Sequence, residues 1–112
     1  MNSRLIFILC LLVLGNITPI LAQQEITVMS YNIRLDVASD GENRWDARKE
    51  KLTGLMRFYE PDFIGAQEVM HHQLLFIKQE LKRYGHIGVG RDDGKEMGEY
   101  SAIFYDSLKF IV

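Results

Sequence analysis

The sequence predicts an α/β fold built on a mixed sheet. Three observations carry this. Two apolar runs, ending near Asp36 and Glu68, are separated by an amphipathic helix, the order of a parallel strand–helix–strand unit. A second amphipathic stretch follows the second run. The remaining apolar runs are short and separated by turn residues, the pattern of antiparallel strands.

The elements follow in order. "EITVMSYNIRLD", Glu25 to Asp36, is β-branched and aromatic with rough alternation, and predicts a strand. "VASDGENRWD" is a polar loop marked by Asp40-Gly41. Asp46 fits an N-cap for a helix from Ala47 to Tyr59, with Leu52, Leu55, Met56 and Tyr59 on one face. Pro61 forbids continuation. "DFIGAQE" is the next strand. A second helix is expected from about Met70 to Arg83, with Leu74, Ile77, Lys78 and Leu81 on one side and Tyr84-Gly85 closing it. "HIGVGR" reads as a short strand, "DDGKEMGE" as a charged glycine-rich loop, and "YSAIFYD" and "LKFIV" as two strands forming an antiparallel pair. The apolar run "LKFIV" lacks a capping turn and polar tail, so the chain is expected to be the N-terminal part of a longer domain.

The 112 residues are 47% hydrophobic and 25% charged, ordinary values for a globular protein. Net charge is −2, which excludes a global basic field for non-specific polyanion binding. Residues 1–22 have a secretory leader layout: Arg4, an apolar run from Leu5 to Leu14, "GNITP", and Ala22 before Gln23. A ten-residue run is too short to span a bilayer core of roughly 30 Å. Cys10 lies inside this run rather than after it, which disfavours a lipoprotein. The expectation is export, cleavage near Ala22, and no stable membrane insertion. Residues 23–112 then keep 12 of the 13 Lys and Arg (Arg4 is lost) and all 15 Asp and Glu, a charge of −3, with no cysteine. A disulfide or a thiolate metal site is excluded, so any metal must take oxygen or imidazole ligands.

Asn32 and Glu68 occupy equivalent places at the C-terminal ends of the two expected parallel strands. Ligand sites in such sheets form at that edge. A carboxylate and a carboxamide there are hard oxygen ligands suited to Mg²⁺ or Mn²⁺. Spacing alone leaves a second reading open, in which Asn32 caps a turn and Glu68 pairs with an arginine. His71 and His72 are adjacent on an expected helix and point about 100° apart, so they are read as surface or helix-start residues.

The ordered set "SYNIR", Trp45 with Arg48, "PDFIGAQEV" and "GRDDGKEMGEYSAIFY" resembles the endonuclease/exonuclease/phosphatase superfamily, in particular its secreted bacterial members. The resemblance runs from Ile26 to the last residue. It implies a DNase I-like four-layer α/β/β/α sandwich, of which the chain would be the N-terminal half. It implies a Mg²⁺-dependent (or Mn²⁺-dependent) phosphohydrolase, with phosphodiester hydrolysis by activated water as the leading reading. Glu68 matches the family's metal-binding glutamate, and Asn32 the asparagine that orients metal and phosphate. Glu99 and Tyr100 fall where members place polar residues near the phosphate. Arg91 could steer an anionic substrate or be a solvated loop residue. The substrate is a phosphate ester of a nucleic acid, lipid or sugar, and the full-length form is expected to be a monomer. The family's Asp-x-Asn and Asp-His pairs are missing from this sequence, so the chain alone is expected to be inactive. Two alternatives stay open: a lipid or sugar-phosphate phosphatase on the same scaffold, and a non-catalytic exported binding module.

Overall fold

The computed structural model describes residues 24–112; the leader expected over residues 1–22 lies outside them. Strand β1, Val28–Asn32, leads through a 3-10 turn at Ala38–Asn43 to helix α1, Trp45–Tyr59. Strand β2, Phe63–Val69, is followed by helix α2, His71–Glu80, and by strands β3, Tyr84–Ile87, and β4, Tyr100–Asp106. The four strands form one mixed sheet in the order β1-β2-β4-β3. β1 and β2 are parallel, in register from Val28 opposite Phe63 to Asn32 opposite Gln67. β4 runs antiparallel to both β2 and β3. Among the described residues no helix is long and apolar enough to cross a membrane.

The alternation of β2 and β4 explains the layers. Ile64, Ala66, Val69, Ala102 and Phe104 are buried on one face, where they form a single core with Leu52 and Met56 of α1 and Leu74 and Ile77 of α2. Each large side chain fully buried there contributes about 1.5–3 kcal/mol. On the other face Val28, Ile87 and Ile103 are exposed.

Several sequence expectations are corrected. Asp46 is not the N-cap of α1: Arg44 holds that position with no side-chain bond, and the Asp46 carboxylate accepts from Lys49 Nζ at 2.6 Å. Leu55 and Tyr59 are 41% and 59% exposed, because the buried stripe runs through Trp45, Leu52, Thr53 and Met56 instead. α2 ends at Glu80, and Tyr84-Gly85 opens β3 rather than closing the helix. Lys78 is exposed. The last segment is no strand. Asp106 turns it back: Leu108 N–H donates to the Asp106 carboxylate at 3.1 Å and Phe110 N–H to its carbonyl at 2.9 Å. Phe110 then packs on Phe63 with ring centroids 4.6 Å apart. β4 therefore pairs with β2 and β3, not with "LKFIV".

Candidate active site

The parallel pairing of β1 and β2 sets Asn32 beside Gln67 at the C-terminal edge of the sheet. Strand alternation alone would send Glu68 into the core behind Ile64 and Ala66. A β-bulge prevents this. Ala66 pairs with Ala102 and Val69 with Tyr100, so Gln67 and Glu68 together oppose the single residue Ser101. Val69 takes the buried place, and Glu68 is released from it with a left-handed backbone, φ 58°.

The released carboxylate is gripped from β1. Asn32 Nδ2 donates to Glu68 Oε1 at 2.7 Å, and Leu35 N–H donates to Oε2 at 3.2 Å. Arg34 N–H donates to Asn32 Oδ1 at 2.9 Å, which fixes which end of the amide faces Glu68. The Asn32 amide first, then the Leu35 N–H, hold the Glu68 carboxyl below its ordinary range; partial burial opposes this, and the charges of Arg34 and Arg48 add to it. Arg34 is itself left-handed, φ 63°, with its guanidinium on both Asp40 carboxylate oxygens at 2.8 and 2.6 Å. Asn32 is thus both a turn-capping acceptor and a partner of Glu68, while no arginine lies in ion-pair contact with Glu68 among the described residues.

Two of the other residues singled out by sequence, Arg91 and Glu99, lie at a neighbouring cleft, and Tyr100 lies outside its lining. Arg91 Nη2 lies 3.1 Å from Glu99 Oε1, so these two pair with each other. They line a cleft of about 240 Å³ with Leu35, Asp36, Met70 and Asp92. Tyr100 is 3% exposed. Its hydroxyl donates to the Lys95 carbonyl at 3.0 Å and lies 2.8 Å from His71 Nδ1. It ties the 88–99 loop to the start of α2, and burial raises its phenol above the ordinary value. His72 Nε2 sits 2.9 Å from the Asp36 carboxylate. The two histidines therefore bind different partners.

Two residues without an assigned role in the sequence shape the site. Arg48 donates from α1 to the carbonyls of Ile33, Arg34, Leu35 and Asn43. Gln73, fully buried on α2, accepts from Met70 N–H at 2.9 Å and donates to the Arg34 carbonyl at 3.0 Å. The available signal for Gln73 was its position one turn before Ile77, on the apolar side of the helix.

No family model matches the sequence, and a search of curated proteins gave no match. Solved structures do match. An endonuclease/exonuclease/phosphatase from Bacteroides vulgatus is 38% identical, with a TM-score of 0.75 over 77% of this chain and 33% of its own. A mannosyl-6-phosphatase from Bacteroides thetaiotaomicron is 42% identical, with a TM-score of 0.72 over 75% of this chain and 32% of its own. An endonuclease/exonuclease/phosphatase family protein from the same species is 43% identical, with a TM-score of 0.70 over 73% of this chain and 31% of its own. The chain thus spans about a third of the length of these structures. With the mixed sheet and the strand-end pair in place, the chain belongs to the endonuclease/exonuclease/phosphatase superfamily.

Proposed function

We propose that this chain contributes Glu68 as the metal-binding carboxylate of a divalent-cation-dependent phosphate-ester hydrolase. The observation that carries the reading is the 2.7 Å bond from Asn32 to Glu68 across two parallel strand ends. The donor set fits Mg²⁺ or Mn²⁺: one ionised carboxylate, kept ionised by its neighbours, with no cysteine among the described residues. Among the described residues no three His, Cys, Asp or Glu side chains are grouped to hold a metal. Mg²⁺ commonly takes one or two protein carboxylates and completes its shell with water and phosphate oxygens. A cation bound there would polarise a phosphoryl oxygen and stabilise the leaving oxygen. Glu68 would hold it, and Asn32 would keep the carboxylate aimed and charged.

Among the described residues, base catalysis has no evident owner near Glu68. His71 is engaged with Tyr100 and His72 with Asp36. The chain alone is therefore expected to show no turnover of bis-p-nitrophenyl phosphate with Mg²⁺. Turnover that disappears in Glu68→Ala would refute this.

The family resemblance puts phosphodiester hydrolysis first. A specific observation now favours a phosphorylated sugar: the 42% identical neighbour is a mannosyl-6-phosphatase. Binding separates the two. With Mn²⁺ present, wild type should show paramagnetic broadening of the Asn32, Leu35 and Glu68 resonances, and Glu68→Gln should not. With Mg²⁺ present, mannose 6-phosphate should shift these resonances at lower concentration than dimethyl phosphate. Equal broadening in wild type and Glu68→Gln would end the metal reading. The reverse ligand order would restore the diester.

A further inference from the structure

Two non-glycine residues at this edge, Arg34 and Glu68, hold left-handed backbones with φ of 63° and 58°. Such conformations persist only where the surroundings over-determine them. Asn32 cannot supply that determination alone, since its own carbonyl is positioned by Arg34 N–H. The fixed point lies on the helices.

Arg48 provides most of it. Its Nε donates to the Asn43 carbonyl at 2.9 Å, its Nη1 to the Ile33 carbonyl, and its Nη2 to the carbonyls of Arg34 and Leu35 at 2.8 and 3.0 Å. The guanidinium lies 5.5 Å from the centroid of the buried Trp45 ring, so it is anchored to the core side of α1. Three successive carbonyls, those of residues 33 to 35, thus converge on one rigid fork. Gln73 adds a second donor on the Arg34 carbonyl, and its other end receives Met70 N–H, at the exit of β2. Its full burial means that it has no water to turn to.

The consequence is geometric. When the carbonyls of Arg34 and Leu35 are pinned to the helices, the N–H groups of the same segment point at the site. The Arg34 N–H meets Asn32 and the Leu35 N–H meets Glu68. We infer that Arg48 and Gln73 are positioning residues, which lock the Ile33–Leu35 segment so that its amides and Asn32 aim the Glu68 carboxylate at its cation. The inference rests on the proposed role of Glu68 as a metal ligand. Neither Arg48 nor Gln73 touches the carboxylate; they act through backbone. Groups of this outer kind typically change metal affinity by about 10–100-fold when lost.

Arg48→Lys tests this in the full chain. It keeps the charge but replaces a rigid fork with a single ammonium, which cannot serve four carbonyls. Two readouts are taken: amide hydrogen exchange at Arg34 and Leu35, and the affinity for Mn²⁺ alone. The expected results are exchange accelerated about tenfold at both amides and Mn²⁺ binding weakened about tenfold or more. Gln73→Met should move both in the same direction. Unchanged exchange and unchanged affinity in Arg48→Lys would overturn the inference, as would a loss of Mn²⁺ affinity without any change at the two amides. If wild type binds no Mn²⁺, the metal reading fails, while the exchange result still decides whether the lock exists. Should both variants fail to fold, wild-type exchange decides. The Arg34 and Leu35 amides, although past the end of β1, must be as protected as those inside it; rapid exchange there would refute the lock.

Discussion

Replacing Gln73 by leucine removes two partly buried hydrogen bonds of unequal consequence. The two side chains are similar in size, and the site has no solvent exposure, so packing changes little. The Arg34 carbonyl loses Gln73 Nε2 but keeps Arg48 Nη2 at 2.8 Å, so that end stays satisfied. The other end does not: Met70 N–H, the first backbone group after β2, loses its 2.9 Å acceptor. Leaving this partly buried donor unpaired costs toward the low end of about 1–3 kcal/mol. Taking about 1 kcal/mol for a domain of this size, Tm should fall by about 4–8 °C. Urea unfolding followed by Trp45 fluorescence is the assay. Trp45 is the lone tryptophan, buried at the start of α1 with its ring 5.7 Å from Phe76 of α2, so it reports the helix pair that Gln73 joins to the sheet. The midpoint should shift with the slope unchanged. A leucine variant within about 0.5 kcal/mol of wild type would refute the reasoning.

Three further outcomes are expected. The Glu68 carboxyl is held below its ordinary value, so Mn²⁺ binding should be intact above the usual glutamate range near about 4.3 and be lost only as pH falls through the depressed value. Asn32→Ala should raise that midpoint, and an unmoved one in a binding titration would count against the Asn32–Glu68 bond. In Gly90→Ala, the added Cβ would lie 2.6 Å from the backbone nitrogen of Met97. The 88–99 loop should therefore rearrange, with Arg91 and Glu99 showing changed amide shifts while β1 and β2 keep theirs; an unchanged loop would refute the close approach. Mass spectrometry of the protein from its natural host should find Gln23 at the N-terminus, and a retained Met1 would refute the expected leader.

Much of the frame was legible in the chain. Pro61 and the periodicity of Leu52 and Met56 bounded α1, and the apolar alternation of "YSAIFYD" gave β4 its observed limits. The parallel pairing followed from the strand–helix–strand order, and it placed Asn32 and Glu68 on one edge. What stayed hidden depends on competition between partners. The bulge at Gln67-Glu68 has no glycine to announce it, because hydrogen bonds from Asn32 and Leu35, rather than a missing Cβ, hold Glu68 in its unusual backbone. "LKFIV" has strand composition, but the Asp106 carboxylate captures the Leu108 amide, the Asp106 carbonyl captures those of Lys109 and Phe110, and Asp62 binds Lys109 at 2.6 Å. Arg48 stood inside a motif, yet its target is backbone carbonyls, which carry no residue signature.

The left-handed Glu68 also has a consequence for anyone who tries to make this protein sturdier. Glycine is the residue that adopts such a backbone freely. A stability-guided redesign, scoring backbone comfort, would favour Glu68→Gly, and the gain would look legitimate by every folding criterion. It would also erase the carboxylate at that edge proposed to bind the cation. Position 68 should therefore be exempt from optimisation, and a glycine there in a diverged copy would mark a scaffold kept after its chemistry was abandoned.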